Sequence, residues 1–438
     1  MTFPSSHLCL LLVLIATSNF EAHVQDACFC QLSGKIDECT CNIDTVDHFN
    51  NVKVYPRLRS LLRKDYFRFF KVNLKRDCPF WHDDSKCAIK YCHVQACGDG
   101  DVPVGIKGAV ERRFDSEAAC EDDAEELDYL NKTISPKMKE DLVMWTAYDD
   151  ANDNFCAVDE NDEGAEYVDL LLNPERYTGY KGPSANRIWN SIYLENCFRP
   201  KTYYSPYIPT STLNNMCLEE RVYYRTISGL HTSINIHLCA NYLLSNSHGL
   251  SLTDPKGEWG PNLKEFQRRF SPETTNDEGP NWLRNLYFIY LLELRALAKA
   301  APYLEQELFY TGNEVEDFGT QMAVKDLLNV AQQFPNHFDE TTMFTGSAQA
   351  SRLKHEFKEH FRNVTRIMDC VGCEKCKLWG KLQTRGLGTA LKILFSQKFN
   401  HKKLFQLQRE EIVALFNAFG RLSTSIYKLD DFRQMLQH

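Results

Sequence analysis

Seventeen cysteines constrain this chain more than any other feature of its sequence. They are too many for a typical cytosolic enzyme, whose thiols stay reduced, and too sparse over 438 residues for a miniature disulfide scaffold. An oxidising compartment is the first inference. The N-terminus agrees, because Leu8 to Ala16 is an unbroken apolar run of nine residues followed by the small-residue pattern Ala16-Thr17-Ser18. Residues 1–18 read as a cleaved signal peptide, although Met1 to His7 lack the usual Lys or Arg. The run is too short for a bilayer core of about 30 Å, and no later stretch approaches the roughly 18 apolar residues of a membrane helix. A soluble mature chain, residues 19–438, is expected. Two acceptor sequons, Asn131-Lys-Thr133 and Asn363-Val-Thr365, fit passage through the secretory pathway. The C-terminus, Met435 to His438, carries no retention tetrapeptide.

Removing Cys9 with the signal leaves sixteen cysteines, whose distribution divides the chain better than any linker. Cys28, Cys30, Cys39 and Cys41 form a symmetric unit around Ser33-Gly34, which predicts a stapled hairpin. Residues 53–76 hold nine Lys or Arg against one acid, Asp65, with Leu58, Leu61, Leu62, Phe69 and Phe70 interleaved. That pattern predicts an amphipathic helical stretch with a solvated basic face. Residues 78–97 pack four cysteines into weakly periodic sequence before the Gly/Pro-rich 98–108, which predicts an exposed loop. Eight acids and no Lys or Arg fill 115–128, and eight more fill 149–166; both read as mobile surface segments.

From residue 185 onward apolar side chains recur every three or four positions, as in Ile227, Leu230, Ile234 and Leu238, or Leu283, Leu286, Tyr287, Tyr290 and Leu294. Further amphipathic stretches lie near 317–333, 351–368, 377–397, 408–420 and 428–437. Residues 200–212 read as a long surface connection. Length alone allows about three domains, but the pattern predicts one mainly α-helical domain with long disulfide-bearing loops. A hydrophobic content of 43% is ample for its core. A net charge of −9 gives none of the basic surface that displaces counterions from phosphates, which argues against nucleic acid as a partner.

The sharpest motif is Cys370-Val-Gly-Cys373-Glu-Lys-Cys376 at the start of a helical pattern. A thiol at a helix N-terminus feels the dipole, and the charges of Lys375 and Lys377 also favour the thiolate that performs disulfide exchange. The competing reading is structural zinc, but no second CxxC or Cys/His pair stands at ligand spacing. Cys87-Ala-Ile-Lys-Tyr-Cys92 is a second candidate, since a short-range pair closing six residues stabilises by only about 2 kcal/mol in the chain-entropy model. Such a pair is a poor staple and an accessible redox site, unless it is a simple loop clip. Gly386-Leu-Gly388 fails as a dinucleotide fingerprint because Leu391 stands where glycine or alanine is needed. Asp159, Asn161, Glu163 and Gly164 imitate a calcium loop whose twelfth position is Leu170 rather than glutamate. Ser228 and His231 share a helix face on which they could bond a polar cofactor, and Arg295 lies in an apolar helix where an unpaired guanidinium is costly. Taken alone, internal partners are the better reading of both.

Together these segments resemble the endoplasmic reticulum oxidoreductins, flavin-dependent thiol oxidases that reoxidise protein disulfide isomerase. The motifs are long: CPFW at 78–81, LLLNPERYTGYKGP at 170–183, ISGLHTSIN at 227–235, NLYFIYLLELRAL at 285–297 and CVGCEKCKLWGKLQTRGLGTALKILF at 370–395. The resemblance spans nearly the whole mature chain and implies a single helical bundle holding FAD, located in the endoplasmic reticulum lumen. It implies an inner pair, Cys373 and Cys376, facing the flavin and an outer shuttle pair, Cys87 and Cys92, with molecular oxygen as acceptor and hydrogen peroxide as product. Flavin-binding positions would be Arg176, Thr178, Trp189, Ser228, His231 and Arg295. One position departs: Trp282 stands where relatives have an arginine, with Arg284 two residues on. The resemblance also implies bridges Cys28–Cys41, Cys30–Cys39, Cys78–Cys370 and Cys197–Cys217, leaves Cys156 and Cys239 as buried thiols, and assigns regulation to Cys97 and Cys120 through Cys92–Cys97 and Cys87–Cys120 pairing. Glycosylation would fall on Asn131 and Asn363, with no metal and no membrane span, although peripheral attachment to the lumenal face stays open. The rival reading is a non-enzymatic, disulfide-stapled or zinc-binding lumenal glycoprotein.

Overall fold

The computed structural model describes residues 29–31, 38–40, 43–81, 92–98, 100–107, 154–175, 183–198, 216–245, 258–334, 338–345, 348–395 and 407–437. Its described elements run in the order β1 (Phe29–Gln31), β2 (Glu38–Thr40), α1 (Ile43–His48), a π-helical turn (Phe49–Val54), α2 (Tyr55–Leu61), α3 (Asp65–Arg68), β3 (Phe69–Val72) and β4 (Glu166–Asp169). There follow α4 (Pro183–Glu195), α5 (Leu218–Ala240), β5 (Tyr242–Ser245), β6 (Glu258–Gly260), α6 (Leu263–Phe270) and α7 (Pro272–Thr275). The chain ends in α8 (Gly279–Leu304), α9 (Glu314–Gln333), α10 (Ala348–Ile367), α11 (Glu374–Phe395) and α12 (Arg409–Gln437). The architecture is mainly helical, with three two-stranded antiparallel sheets among the described residues.

The core is the bundle of α5, α8, α11 and α12, the helices that pack most extensively on one another. α8 is buried on every side from Leu286 to Leu294, a run in which Glu293 is the one ionisable carboxyl and burial raises its value, so a central position is the stable solution. Each fully buried Leu, Ile or Phe there contributes about 1.5–3 kcal/mol relative to exposure. α11 and α12 run antiparallel and unusually close: a Cβ on Gly386 would stand 2.3 Å from the Ala414 carbonyl oxygen. The Gly386-Leu-Gly388 sequence thus has a packing explanation in place of a phosphate-binding one. α12 is a single helix where the periodicity suggested two stretches.

Two surface segments differ from their sequence reading. The basic stretch 53–76 is helical only as far as Arg68; Phe69, Phe70 and Val72, residues that suit a half-buried pleat, instead form β3. Nor is its basic face merely solvated, since Arg57 pairs with Asp326, Lys64 with Glu316, Arg68 with Asp169 and Arg76 with Asp162. The described part of the acidic segment, 154–166, is packed rather than loose. β4 pairs with β3 from Phe69 opposite Asp169 to Val72 opposite Glu166, and Glu160 is 5% exposed. These acids have cationic partners from distant parts of the chain, which composition alone does not reveal.

At the N-terminal hairpin Cys30 stands opposite Cys39 in the β1–β2 register. The side chains of that hairpin, like Cys28 and Cys41, lie outside the described residues. Cys78 is joined to Cys370, with Cα atoms 4.5 Å apart and a sequence separation of 292. Cys197–Cys217 is a correction: Cys217 is an exposed thiol that caps α5. Its sulfur accepts the Glu220 amide N–H while the Glu220 carboxylate accepts the Cys217 N–H at 3.1 Å. Cys156 and Cys239 are buried thiols. Asn363 is exposed on α10, whereas Asn131 lies outside the described residues.

The Cys78–Cys370 bridge fixes the turn that leads into α11, and a loop of this length is where cross-linking restricts the unfolded chain most. Cys78→Ala/Cys370→Ala should therefore lose about 2–5 kcal/mol of stability, measured as a drop in Tm against wild type under oxidising conditions. An unchanged Tm contradicts this role.

Candidate redox site

The inner pair is set by the start of α11. Cys373 immediately precedes the helix, and Cys376 occupies its first turn, so both sulfurs face the same end of one rigid element. Cys373 is 4% exposed and Cys376 is fully buried. The Cys376 thiol donates to the Cys373 sulfur across 2.7 Å, and the Cys376 amide N–H points to the same sulfur at 3.4 Å. These hydrogen bonds, with that of the Lys375 amide, hold the Cys373 thiol below its ordinary value although burial and Glu374 oppose them. The amide N–H groups at the helix start act as the sequence reading expected, whereas the charges of Lys375 and Lys377, which that reading added, are not among the causes. The Lys377 ammonium instead donates to the Leu74 carbonyl at 3.3 Å. A thiolate-prone sulfur within reach of a second sulfur is what disulfide formation and exchange require.

Cys92 is docked beside this helix and is buried, contrary to the expected exposed loop. The Glu374 carboxylate accepts the Val94 N–H at 2.9 Å and meets His93 Nδ1 at 2.6 Å. The Asn173 side chain then acts as a strand edge, accepting from Gln95 N at 2.8 Å and donating to Gln95 O at 2.8 Å. Cys97 N bonds to the Tyr167 carbonyl, and Ala96 bridges to Val168. Cys92 is disulfide-bonded, whereas Cys97 is a thiol raised by burial and by Asp169, so these two are not joined to each other. Cys87 and Cys120 lie outside the described residues.

A second group of sequence-predicted residues gathers where α4 meets α5. The Trp189 and His231 rings stack at 3.8 Å, and Tyr193 Oη lies 3.2 Å from His231 Nδ1. Burial and the charge of Arg269 push His231 down to about 3, so its ring is neutral. One helical turn away, buried Ser228 accepts from Asn285 Nδ2 at 3.0 Å across the α5–α8 seam. A stacking face, a neutral imidazole and a buried hydroxyl suit a planar, uncharged ring with polar edges. Trp282 packs against the core at the start of α8. Arg295 stands apart, ten residues or about 15 Å along α8 from Asn285. Its guanidinium is bidentate to Glu340 at 3.0 and 3.1 Å, and Lys299 shares that carboxylate at 3.1 Å. Glu340 is thus the internal partner that the sequence pattern alone favours for Arg295. Arg176 and Thr178 lie outside the described residues.

The residues that sequence reasoning missed are those that position α11. Lys381 pairs with Asp369 at 2.6 Å and with Asp159; Arg385 pairs with Glu160 at 2.6 Å; Lys392 pairs with Glu411 at 2.9 Å. Arg385 also donates to the Cys156 sulfur at 3.1 Å, and that thiol is raised because burial outweighs the arginine. Three cations sharing a face of an otherwise buried helix were the available signal, because buried charge demands partners. Asn173 was visible within the 170–183 motif, but nothing in the motif says what it holds.

A helical bundle with a CxxC at a core helix terminus, facing a second disulfide-bearing segment, defines an oxidoreductase of thiols and disulfides. Residues 53–429 match the family described as Endoplasmic Reticulum Oxidoreductin 1. The chain is 54% identical to the Ero1-like protein of Drosophila melanogaster, over 95% of this chain and 92% of that protein. It is 49% identical to ERO1-like protein alpha of Homo sapiens, over 94% and 92% respectively. A mutant of S. cerevisiae Ero1p superposes with a TM-score of 0.58 at 28% identity, covering 90% of this chain and 98% of that one. The chain belongs to the endoplasmic reticulum oxidoreductin 1 family.

The neutral His231 gives a pH test. Its folded-state value lies below the ordinary 6.5, so this preference for the neutral ring is complete above pH 6.5 and is lost as pH falls toward 3. NMR of the imidazole should show no protonation between pH 8 and pH 5; a midpoint above pH 6 contradicts the enclosed site.

Proposed function

We propose that this chain is a thiol oxidase of the endoplasmic reticulum lumen that reoxidises protein disulfide isomerase and related thioredoxin-like proteins. The observation that carries this reading is the buried Cys373–Cys376 pair at the start of α11, tied through Glu374 to the segment that follows Cys92. Solved Ero1p is described as a source of disulfide bonds for oxidative protein folding in the cell, which supports the same direction of electron flow here. The division of labour follows from chemistry, since exchange with a protein needs a sulfur that the partner can reach whereas a cofactor needs a fixed, shielded disulfide; with Cys92 buried, Cys87 would be the sulfur attacked first.

In this reading a reduced isomerase thiolate displaces one sulfur of Cys87–Cys92, and the isomerase's second thiolate then releases the outer dithiol. The outer dithiol reduces Cys373–Cys376 by the same two displacements. FAD, when bound, supplies the two-electron acceptor that molecular oxygen reoxidises, with hydrogen peroxide as product. Trp189, His231 and Ser228 would hold its ring; Arg176, Thr178 and Arg295 would serve the rest of the cofactor, Arg295 after exchanging Glu340 for phosphate. Cys97 and Cys120 would regulate by taking Cys92 and Cys87 out of service. Cys28–Cys41 and Cys30–Cys39 would staple the hairpin, and Asn131 and Asn363 would carry glycans.

The test is a flavin absorbance spectrum combined with oxygen uptake on reduced isomerase. Cys373→Ala and Cys376→Ala should each reduce uptake to background while retaining flavin, because the thiols react with the ring without anchoring it. Unimpaired uptake in either variant sinks the assignment, and a colourless wild-type protein favours a non-enzymatic glycoprotein.

A further inference from the structure

We propose that Glu374 is a positioning residue that holds the Cys92 segment against the inner pair, so that electrons pass from outer to inner sulfurs within one docked unit. The proposal rests on the outer and inner assignments above. Its own basis is the clamp. Three of the amide donors in the five residues after Cys92 are occupied: Val94 by the Glu374 carboxylate at 2.9 Å, Gln95 by Asn173 at 2.8 Å and Cys97 by the Tyr167 carbonyl at 2.9 Å. Asn173 is in turn fixed to α11, because Trp379 Nε1 donates to its carbonyl at 2.8 Å. Glu374 and Trp379 stand on the same helix that presents Cys376, and Glu374 is the immediate neighbour of Cys373. The distance from residue 94 to the inner pair is therefore set by one rigid element.

Glu374 is a poor choice on electrostatic grounds alone. Its negative charge disfavours the adjacent Cys373 thiolate, and the helix-dipole benefit of an acid in a first turn is modest, about 0.3–1 kcal/mol. A specific acceptor for Val94 and His93 explains its presence. The step it serves is balanced within the chain. A Cys92 thiolate displaces one sulfur of the Cys373–Cys376 disulfide, forming one S–S bond as another breaks, and the displaced sulfur leaves as thiolate. The second thiolate of the outer pair then attacks Cys92 Sγ, the outer disulfide re-forms, and the inner pair departs as a dithiol carrying two electrons, with protons taken from solvent.

Positioning and charge make opposite demands, which allows a clean test. Glu374→Ala removes both the acceptor and the charge; Glu374→Gln removes the charge and keeps an acceptor oxygen. Full-length protein is mixed anaerobically with reduced protein disulfide isomerase, quenched in acid, alkylated, and read by peptide mass spectrometry at Cys92 and at Cys373/Cys376 separately. Glu374→Ala should slow reduction of the inner pair by about tenfold or more while Cys92 is reduced at the wild-type rate, so that kcat falls and KM holds. Glu374→Gln should stay within about threefold of wild type, because the acceptor is what the clamp uses. Asn173→Ala, which removes the other half of the clamp, should slow the same step and decides the matter if Glu374→Ala does not fold. Inner-pair reduction at the wild-type rate in Glu374→Ala or Asn173→Ala overturns the proposal, as does a Gln variant as slow as Ala. Wild-type protein whose inner pair is reduced while the Cys92 disulfide stays oxidised overturns the outer-pair assignment itself, and the positioning role with it.

Discussion

The ion pairs along α11 are the interaction on which the rest of the structure depends. Lys381, Arg385 and Lys392 lie on one face of a largely buried helix, and each meets carboxylates supplied by the 154–166 segment, by Asp369 or by α12. Charges buried in this way contribute little net stability, yet removing one partner strands the other and typically costs about 3–5 kcal/mol. Their effect is to fix register. Burial raises Glu160 despite Arg385, whereas Lys392 and Arg385 together hold Glu411 below its ordinary value against the opposing effect of burial. With α11 locked axially against α12, the Cys78–Cys370 bridge then holds the turn at its N-terminal end.

Function follows from that rigidity. Disulfide exchange needs sulfurs in line and within a short approach of each other, a requirement that a loop alone meets poorly. Here the inner sulfurs sit at the end of a locked helix and the Cys92 segment is laced to the same helix by side-chain acceptors rather than by a long sheet. The aromatic and hydroxyl group around Trp189, His231 and Ser228 belongs to the α4–α5–α8 side of the bundle. Its chemistry, neutral and stacking, complements the thiolate-prone chemistry of the inner pair.

The helices were legible because apolar residues at spacings of three and four record which face is buried, and most boundaries from α8 to α12 fall within a few residues of the periodic stretches. The redox pair was legible for a different reason, since CxxC at a helix start is a local pattern with local physics. What the sequence concealed was pairing over distance. The run of acids at 149–166 looks solvated until Lys381 and Arg385 are placed beside it. Arg295 calls for a buried partner, but nothing nearby in sequence names Glu340, and Cys217 looks like half of a bridge until its sulfur is found capping α5. Phe69 to Val72 continued a helical pattern whose end is set by pairing with β4, another partner remote in sequence.

The central claim is that hydrogen-bond donors at the start of α11, rather than lysine charge, hold the Cys373 thiol below its ordinary value. Ultraviolet thiolate absorbance as a function of pH, taken as the difference between Cys373→Ser and wild type after reduction of the inner pair, measures this directly. The account predicts that Cys373 ionises below the ordinary thiol value of about 8.5 and that Lys375→Met and Lys377→Met leave the midpoint in place. A Cys373 midpoint at or above that value, or one that rises when either lysine is replaced, contradicts it.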